Sequence, residues 1–243
     1  MSGNFGRQQE APSRKRLILH VGQTKAGSTA IQNYLEDQRS RLLERGFLFP
    51  VAGFLRTEPL APTRTPGHMG LLHALQKNPL APPEPIAVLE AEMAASTFQT
   101  LVLSSESLFH DQPEAAIARL GTYFADFDIT VVAVLRRQDH WLASRYLEEV
   151  LSGFRQTTLT PADFAEKKFR DGALDYAERL VRIATAVQAQ AVRAMDYDHA
   201  VAGAGLIPAF LDMAGLPETR QDLARSLRSN VSPKSAVLVE GAR

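Results

Sequence analysis

Hydrophobic positions along the chain form two patterns: short continuous apolar runs, and longer stretches in which apolar residues recur every three or four positions. The runs at residues 17–21, 100–104 and 129–135 are rich in branched side chains, which predicts buried strands. The spaced pattern after the first run, which includes Ile31 and Leu42, predicts an amphipathic helix. Strands that alternate with helices favour an α/β fold with a mainly parallel central sheet flanked by helices.

Weaker patterns complete the predicted organisation. Residues 50–67 and 78–85 are rich in proline and are predicted as loops. The polar residues 1–15 predict a disordered lead-in, and residues 16–243 are expected to form a single domain. The remaining predicted elements are helices near residues 86–95, 113–124, 141–150 and 234–242, a short helix around residues 71–75, and a strand near residues 191–195.

Composition and charge narrow the classes of function. The 243 residues include 27 Lys and Arg and 27 Asp and Glu, so the formal net charge is zero and a nucleic-acid partner is not supported. The absence of cysteine excludes disulfides, thiolate catalysis and cysteine–metal sites. No apolar run approaches the roughly 20 residues of a membrane span, and the N-terminus lacks the apolar core of a secretory signal. We therefore expect a cytoplasmic protein without a transmembrane segment.

A small-residue loop with the sequence GQTKAGST, residues 22–29, separates the first strand from the first helix. Its backbone amides and the positive end of the helix favour an anion, and Lys25 adds a full charge. Gly22 and Gly27 have the spacing of the nucleotide-binding loop G-x-x-x-x-G-K-[ST], but Ser28 stands where that motif has its lysine. The loop therefore predicts a phosphate cradle for a donor other than ATP or GTP.

A second candidate anion site follows the strand at residues 129–135. Arg136 comes directly after this strand, and Ser144 lies eight residues later on the predicted helix. A guanidinium group matches the geometry of a phosphate, and a hydroxyl from a helix can complete the contact. Because ligands of parallel sheets bind beyond the carboxyl ends of the strands, we expect both anion sites at one rim of the sheet.

The two motifs together resemble the sulfotransferases that use 3′-phosphoadenosine 5′-phosphosulfate (PAPS), in a bacterial-type branch of that family. The family's 5′-phosphosulfate loop runs approximately G-x-P-K-[ST]-G-[ST]-[ST]; here Thr24 replaces the proline and Ala26 replaces a hydroxyl residue. The family's strand-end arginine and the serine eight residues later grip the 3′-phosphate. The resemblance spans about residues 17–235 and implies a P-loop, nucleotide-kinase-like core, PAPS as co-substrate and no metal. The implied binding residues are Gln23, Thr24, Lys25, Ala26, Gly27, Ser28, Thr29, Arg136 and Ser144.

Three residues are candidates for catalysis. Sulfuryl transfer requires stabilisation of developing charge and a base for the acceptor group. Lys25 is the candidate that neutralises charge on the bridging oxygen. Glu106, at the end of the strand at residues 100–104, is a candidate base, although a carboxylate there could equally cap the next helix. His68 is the second candidate base.

The predicted reaction is transfer of the sulfuryl group of PAPS to a hydroxyl or amine, which releases adenosine 3′,5′-bisphosphate (PAP). The acceptor pocket is expected from residues 50–98 and the C-terminal third, and the resemblance favours a carbohydrate or glycolipid over another small molecule. Two alternatives remain at this point. One is a phosphoryl-transfer enzyme of the nucleotide-loop class, and the other is a non-catalytic protein of the same fold that binds a sulfated or phosphorylated ligand.

Overall fold

The computed structural model describes residues 14–56, 64–77, 84–110, 112, 114–151 and 157–217. The predicted C-terminal helix at residues 234–242 and most of the predicted lead-in lie outside the described residues. Lys15, which was assigned to the lead-in, is the first residue of a strand. Among the described residues, no helix combines the length and the apolar character that crossing a bilayer requires.

A parallel five-stranded sheet forms the centre of the fold and confirms the predicted α/β class. Its strands are β1 (Lys15–His20), β2 (Phe47–Leu48), β5 (Thr100–Ser104), β6 (Phe127–Leu135) and β7 (Ala191–Asp196). The spatial order is β2-β5-β1-β6-β7, so β1 lies between β5 and β6. Two further strands, β3 (Leu55–Arg56) and β4 (Arg64–Thr65), pair antiparallel to each other outside the sheet.

Helices surround the sheet, and the first of them differs from its prediction. The pattern predicted one continuous helix after the glycine loop, but the chain leaves helical geometry at Gln38 and forms two helices. The described helices are α1 (Ser28–Asp37), α2 (Arg39–Glu44), α3 (Met69–Lys77), α4 (Glu84–Ala95), α5 (Glu114–Tyr123), α6 (Gln138–Leu151), α7 (Pro161–Arg170), α8 (Tyr176–Ala186), α9 (Tyr197–Ala202) and α10 (Leu206–Ala214). A short 3₁₀ turn occupies Glu106–Phe109.

The alternation of side chains along the strands builds two apolar cores, one on each face of the sheet. In β1, Leu17 and Leu19 pack into the core that includes side chains of α3, α4, α5 and α8. Ile18 points to the other face, where Ile31 of α1 and Phe210 of α10 belong to the same core. Because both faces of the central strands are covered, β1, β5 and β6 contain continuous apolar runs.

Register places the candidate segments side by side. His20, the last residue of β1, pairs with Ser104 of β5 and with Val132 of β6. The glycine loop, the segment that begins at Ser105 and the segment that begins at Arg136 therefore leave the same edge of the sheet from three neighbouring strands. This edge is the carboxyl rim where a parallel sheet binds its ligands.

Candidate active site

The first part of the glycine loop continues the β1–β6 ladder. The Gln23 amide donates to the Val134 carbonyl at 2.8 Å, and the Val134 amide donates to the Gly22 carbonyl at 2.7 Å. Gly22 has a φ of 104°, and a Cβ atom at this position would lie 3.0 Å from the Cα of Glu106. Glycine is therefore required for the loop to approach the Glu106 segment this closely.

Three side chains hold three successive carbonyls of the loop. Ser28 Oγ donates to the Gln23 carbonyl at 3.0 Å, and Trp141 Nε1 donates to the Thr24 carbonyl at 3.1 Å. Arg136 Nη1 donates to the Lys25 carbonyl at 3.2 Å. The loop is thus anchored to α6 and to the segment after β6.

The N-terminus of α1 has the geometry of an anion site. Gly27 occupies the cap position with a φ of 82°, and no side chain caps the first turn. The first amides of a helix have no acceptor within the helix, so these groups and the helix dipole favour a negative charge. Ser28 is buried at this terminus, whereas Thr29 is exposed.

Two predicted binding residues of the loop contribute through packing and support. The methyl group of Ala26 is fully buried in the core that contains α10, and its amide donates to the Gln23 carbonyl at 3.3 Å. Its side chain therefore stabilises the loop against the core. Gln23 is also fully buried, and its Oε1 accepts a hydrogen bond from the Arg136 amide at 3.1 Å.

Thr24, which stands where the resembled motif has proline, is held from two sides. Its Oγ1 lies 3.1 Å from Nε2 of His110, while its carbonyl accepts from Trp141. The His110 and Trp141 rings stack with centroids 5.4 Å apart. These contacts restrain the loop in place of a proline ring, and sequence reasoning missed the part that His110 plays in them.

Lys25 enters a chain of ion pairs that extends across α6 to α7. Its Nζ donates to Glu148 Oε1 at 3.2 Å, and Arg145 Nη1 donates to Glu148 Oε2 at 2.8 Å. Arg145 Nε also donates to Glu149 Oε1 at 2.9 Å, and that oxygen accepts from Lys168 Nζ at 3.3 Å. Sequence reasoning missed this network. The sequence carries one signal of this network, which is a spacing. Arg145 and Glu148 follow Trp141 by four and seven positions, so the three residues lie on one face of α6.

Glu106 opens the 3₁₀ turn directly after β5, and Ser105 occupies the cap position of that turn. Burial raises the pKa of Glu106 above its ordinary value, and the negative charge of Glu148 raises it further. A hydrogen bond from Ser28 and the positive charges of Lys25 and Arg145 act in the opposite direction. A raised pKa makes the carboxylate a stronger proton acceptor.

The His68 side chain is buried between Phe49 and Phe54, and both ring nitrogens have backbone partners. Its Nε2 lies 3.1 Å from the Pro50 carbonyl, and its Nδ1 accepts from the Ser104 amide at 3.0 Å. Burial lowers the pKa of His68 to about 4, so the ring is neutral at pH 7. These contacts favour a structural role for His68 and leave Glu106 as the better placed of the two predicted bases.

Arg136 faces the glycine loop, whereas its neighbour Arg137 faces solvent. The Arg136 guanidinium lies over the Tyr197 ring at 5.3 Å, and its Nε is 3.9 Å from Asp198 Oδ1. The Arg137 side chain is 60% exposed and pairs with Asp139 at 2.6 Å. The structure therefore distinguishes the two arginines and selects Arg136 as the one beside the loop.

Ser144 lies on the second turn of α6 and is half-buried. It comes three positions after Trp141, so these two residues lie on the same side of the helix. Two apolar residues of this helix, Leu147 and Val150, have side chains that are 43% and 42% exposed. The face of α6 that packs inward therefore carries Trp141 and charged residues in place of a continuous apolar stripe.

A cavity of about 660 Å³ opens beside the loop. It is bounded by Thr24, by Glu106 and His110, by the charged face of α6, and by Lys168 and Arg179 on the side of α7 and α8. Residues 50–98, predicted to build the acceptor pocket, contribute Met69 and His73 to this lining. Among the described residues, no three His, Asp or Glu side chains are grouped as a metal site would require.

Comparison with known proteins gives matches among solved structures. No protein-family model matches the chain, and the search of curated proteins gives no match. The chain is similar to a mouse sulfotransferase complexed with PAP, with a TM-score of 0.44 and 13% identity over 90% of this chain and 69% of that chain. It is also similar to the sulfotransferase domain of the curacin biosynthetic pathway, with a TM-score of 0.45 and 12% identity over 90% of this chain and 80% of that one.

A third similar structure comes from the PezAT toxin–antitoxin system of Streptococcus pneumoniae. Its TM-score is 0.35, with 11% identity over 91% of this chain and 86% of that chain. Two of these three solved structures are described as sulfotransferases.

Proposed function

We propose that this protein transfers the sulfuryl group of PAPS to a hydroxyl or amine group of an acceptor. One observation carries the proposal: an uncapped helix N-terminus, two cationic side chains and a buried carboxyl group converge at the carboxyl ends of three neighbouring strands. The cations are Lys25 and Arg136, and the carboxyl group is that of Glu106. The helix N-terminus and the two cations suit an anionic donor, and the carboxylate suits an acceptor group that releases a proton.

The donor would span the two anion sites. Its 5′-phosphosulfate would lie on the amides at the start of α1, beside Lys25, and its 3′-phosphate would lie between Arg136 and Ser144. A nucleotide with phosphates at both positions uses both sites. ATP has no 3′-phosphate to place at Arg136, and Ser28 stands where a nucleotide loop would supply lysine to its β- and γ-phosphates.

The transfer step follows from these positions. The acceptor oxygen or nitrogen forms a bond to sulfur while the bond between sulfur and the bridging phosphate oxygen breaks. The electron pair of the broken bond stays on the phosphate of PAP, where Lys25 stabilises the charge. The proton of the acceptor passes to the carboxylate of Glu106.

The acceptor would enter the 660 Å³ cavity, because Glu106 lines it beside the loop. The lysines and arginines of the α6–α7 wall are engaged by Glu148 and Glu149, so this wall presents paired charges and hydrogen-bonding groups. An uncharged, hydroxyl-rich acceptor such as a carbohydrate or a glycolipid headgroup suits such a wall. A small hydroxylated metabolite is the second candidate.

Binding of PAP should depend on Arg136. We expect Arg136→Ala to weaken PAP binding by about 10- to 150-fold, because a charge-assisted hydrogen bond contributes roughly 1.5–3 kcal/mol. Binding of AMP, which lacks the 3′-phosphate, should change little. Isothermal titration calorimetry of both ligands measures the difference, and Arg137→Ala provides the matched control because its side chain is exposed and paired with Asp139.

Equal losses for PAP and AMP in Arg136→Ala would contradict the assigned 3′-phosphate contact. They would mean that Arg136 acts through its hydrogen bond to the Lys25 carbonyl, as a support of the loop. Wild-type protein that binds ATP in preference to PAP would favour the phosphoryl-transfer alternative.

A further inference from the structure

Glu148 occupies a position to which the proposed reaction gives no role. It projects from α6 and accepts hydrogen bonds from Lys25 at 3.2 Å and from Arg145 at 2.8 Å. Its charge also acts on Glu106, across the cavity that both residues line. Glu148 therefore links the lysine of the loop to the carboxyl group beside it.

Glu148 is a negatively charged partner of Lys25, and a bound donor anion would be another such partner. A lysine ammonium that approaches the bridging oxygen of a phosphosulfate has to give up or share its contact with Glu148. Arg145 does not depend on that contact alone, since it also binds Glu149, which in turn binds Lys168. The Glu148 carboxylate can consequently lose Lys25 and remain fixed by Arg145.

We propose that Glu148 is a positioning residue that holds Lys25 when no donor is bound and, once the donor has taken Lys25, stays beside Glu106 as a carboxylate paired with Arg145 alone. The inference rests on the proposed function, because the donor anion is what displaces the pair. Its consequence is a coupling between the two sites: an anion on the loop removes one of the two cationic partners of Glu148, so Glu106 faces a less neutralised carboxylate and becomes a stronger proton acceptor.

The groups that face Glu106 determine the sign of this coupling. Lys25 from the loop and Arg145 from α6 lower the pKa of Glu106, as does the hydrogen bond from Ser28, whereas Glu148 raises it. His110, at the end of the same turn, and His73 of α3 line the same cavity. Removal of the negative charge of Glu148 should therefore shift the titration of Glu106 to lower pH.

The Glu148→Gln variant should have two effects, one on anion binding and one on the titration of Glu106. Anions should bind the loop more tightly, by about 2- to 5-fold, because a partly exposed ion pair that competes for Lys25 contributes only modestly. Glu106 should at the same time lose its proton at lower pH than in the wild type. A merely structural contact would not strengthen anion binding when it is removed.

Calorimetry with inorganic pyrophosphate and with PAP measures the change in anion affinity. Carbon-13 NMR of the glutamate side chains measures the shift in the Glu106 titration, and the Glu106→Gln variant assigns the Glu106 signal. Asp171→Asn is the matched control, because Asp171 lines the same cavity and pairs with Lys167 instead. Glu148→Asp keeps the charge on a shorter side chain and should leave the Glu106 titration close to that of the wild type.

Several results would overturn the inference: unchanged or weaker pyrophosphate binding in Glu148→Gln, no detectable pyrophosphate binding in either protein, an unmoved Glu106 titration, or equal changes in Asp171→Asn. If Glu148→Gln binds pyrophosphate more tightly and shifts Glu106 as expected while neither protein binds PAP better than pyrophosphate, the coupling stands. The assignment of PAPS as donor then fails separately.

Discussion

Replacement of Glu106 by glutamine should lower turnover by about 10²- to 10⁴-fold, the usual scale for loss of a general base. Glutamine keeps the size of the side chain and removes the proton acceptor, so PAP binding and thermal stability should change little. The expected pH dependence in the wild type has a definite sign. Burial raises the pKa of Glu106, and the base acts as the carboxylate, so activity should fall as pH decreases through this raised value.

His68 provides the comparison for this result. Its ring joins the Ser104 amide to the Pro50 carbonyl, and His68→Ala would leave both buried groups without these partners. We expect a loss of roughly 1–3 kcal/mol in the free energy of unfolding, with turnover per folded molecule retained. An active Glu106→Gln enzyme together with an inactive but folded His68→Ala enzyme would transfer the role of base to His68.

Lys25→Ala should lower turnover by about two to three orders of magnitude, by analogy with loss of a donor that stabilises charge in the transition state. The ammonium group is expected to act on the charge that develops on the bridging oxygen, so turnover should fall far more than PAP affinity. Single-turnover kinetics with PAPS, alongside calorimetric binding of PAP, separates the two effects.

Two variants test whether the effect belongs to this lysine. Lys25→Arg should restore only part of the activity, because a planar guanidinium is broader than an ammonium group and does not fit the same position. Lys167→Ala removes an exposed lysine of α7 that pairs with Asp171 and does not line the cavity, and its turnover should stay near the wild-type value. Lys25→Ala turnover within a few-fold of wild type would remove Lys25 from the mechanism.

The sheet could be predicted from the sequence because its long strands are continuous apolar runs. β5 was predicted with its observed bounds, and β1 and β6 each begin two residues before the predicted start. The two-residue strands β2, β3 and β4 are too short to produce a periodic pattern, and β3 and β4 lie in a segment that its prolines marked as a loop. Their pairing depends on tertiary contacts that local sequence does not encode.

Part of the candidate site could also be predicted from the sequence, and part could not. Arg136 directly follows β6, Glu106 lies two residues after β5 and Lys25 lies five residues after β1, so a parallel sheet predicts all three at one rim. The partners of the loop lie far away in the sequence: His110 is 86 positions from Thr24, and Glu148 is 123 positions from Lys25. These contacts arise from the packing of α6 and the 3₁₀ turn against the loop, which a single sequence does not reveal.

Incubation of the protein with radiolabelled PAPS and a panel of carbohydrate, lipid and small-molecule acceptors tests sulfuryl transfer most directly. We expect label on at least one hydroxyl or amine acceptor, with one PAP released for each sulfuryl group transferred, and strong dependence on Lys25. Binding of PAP without transfer to any acceptor would favour a non-catalytic ligand-binding protein. Transfer of phosphate from labelled ATP to the same panel, with no transfer from PAPS, would contradict the assignment and indicate phosphoryl transfer.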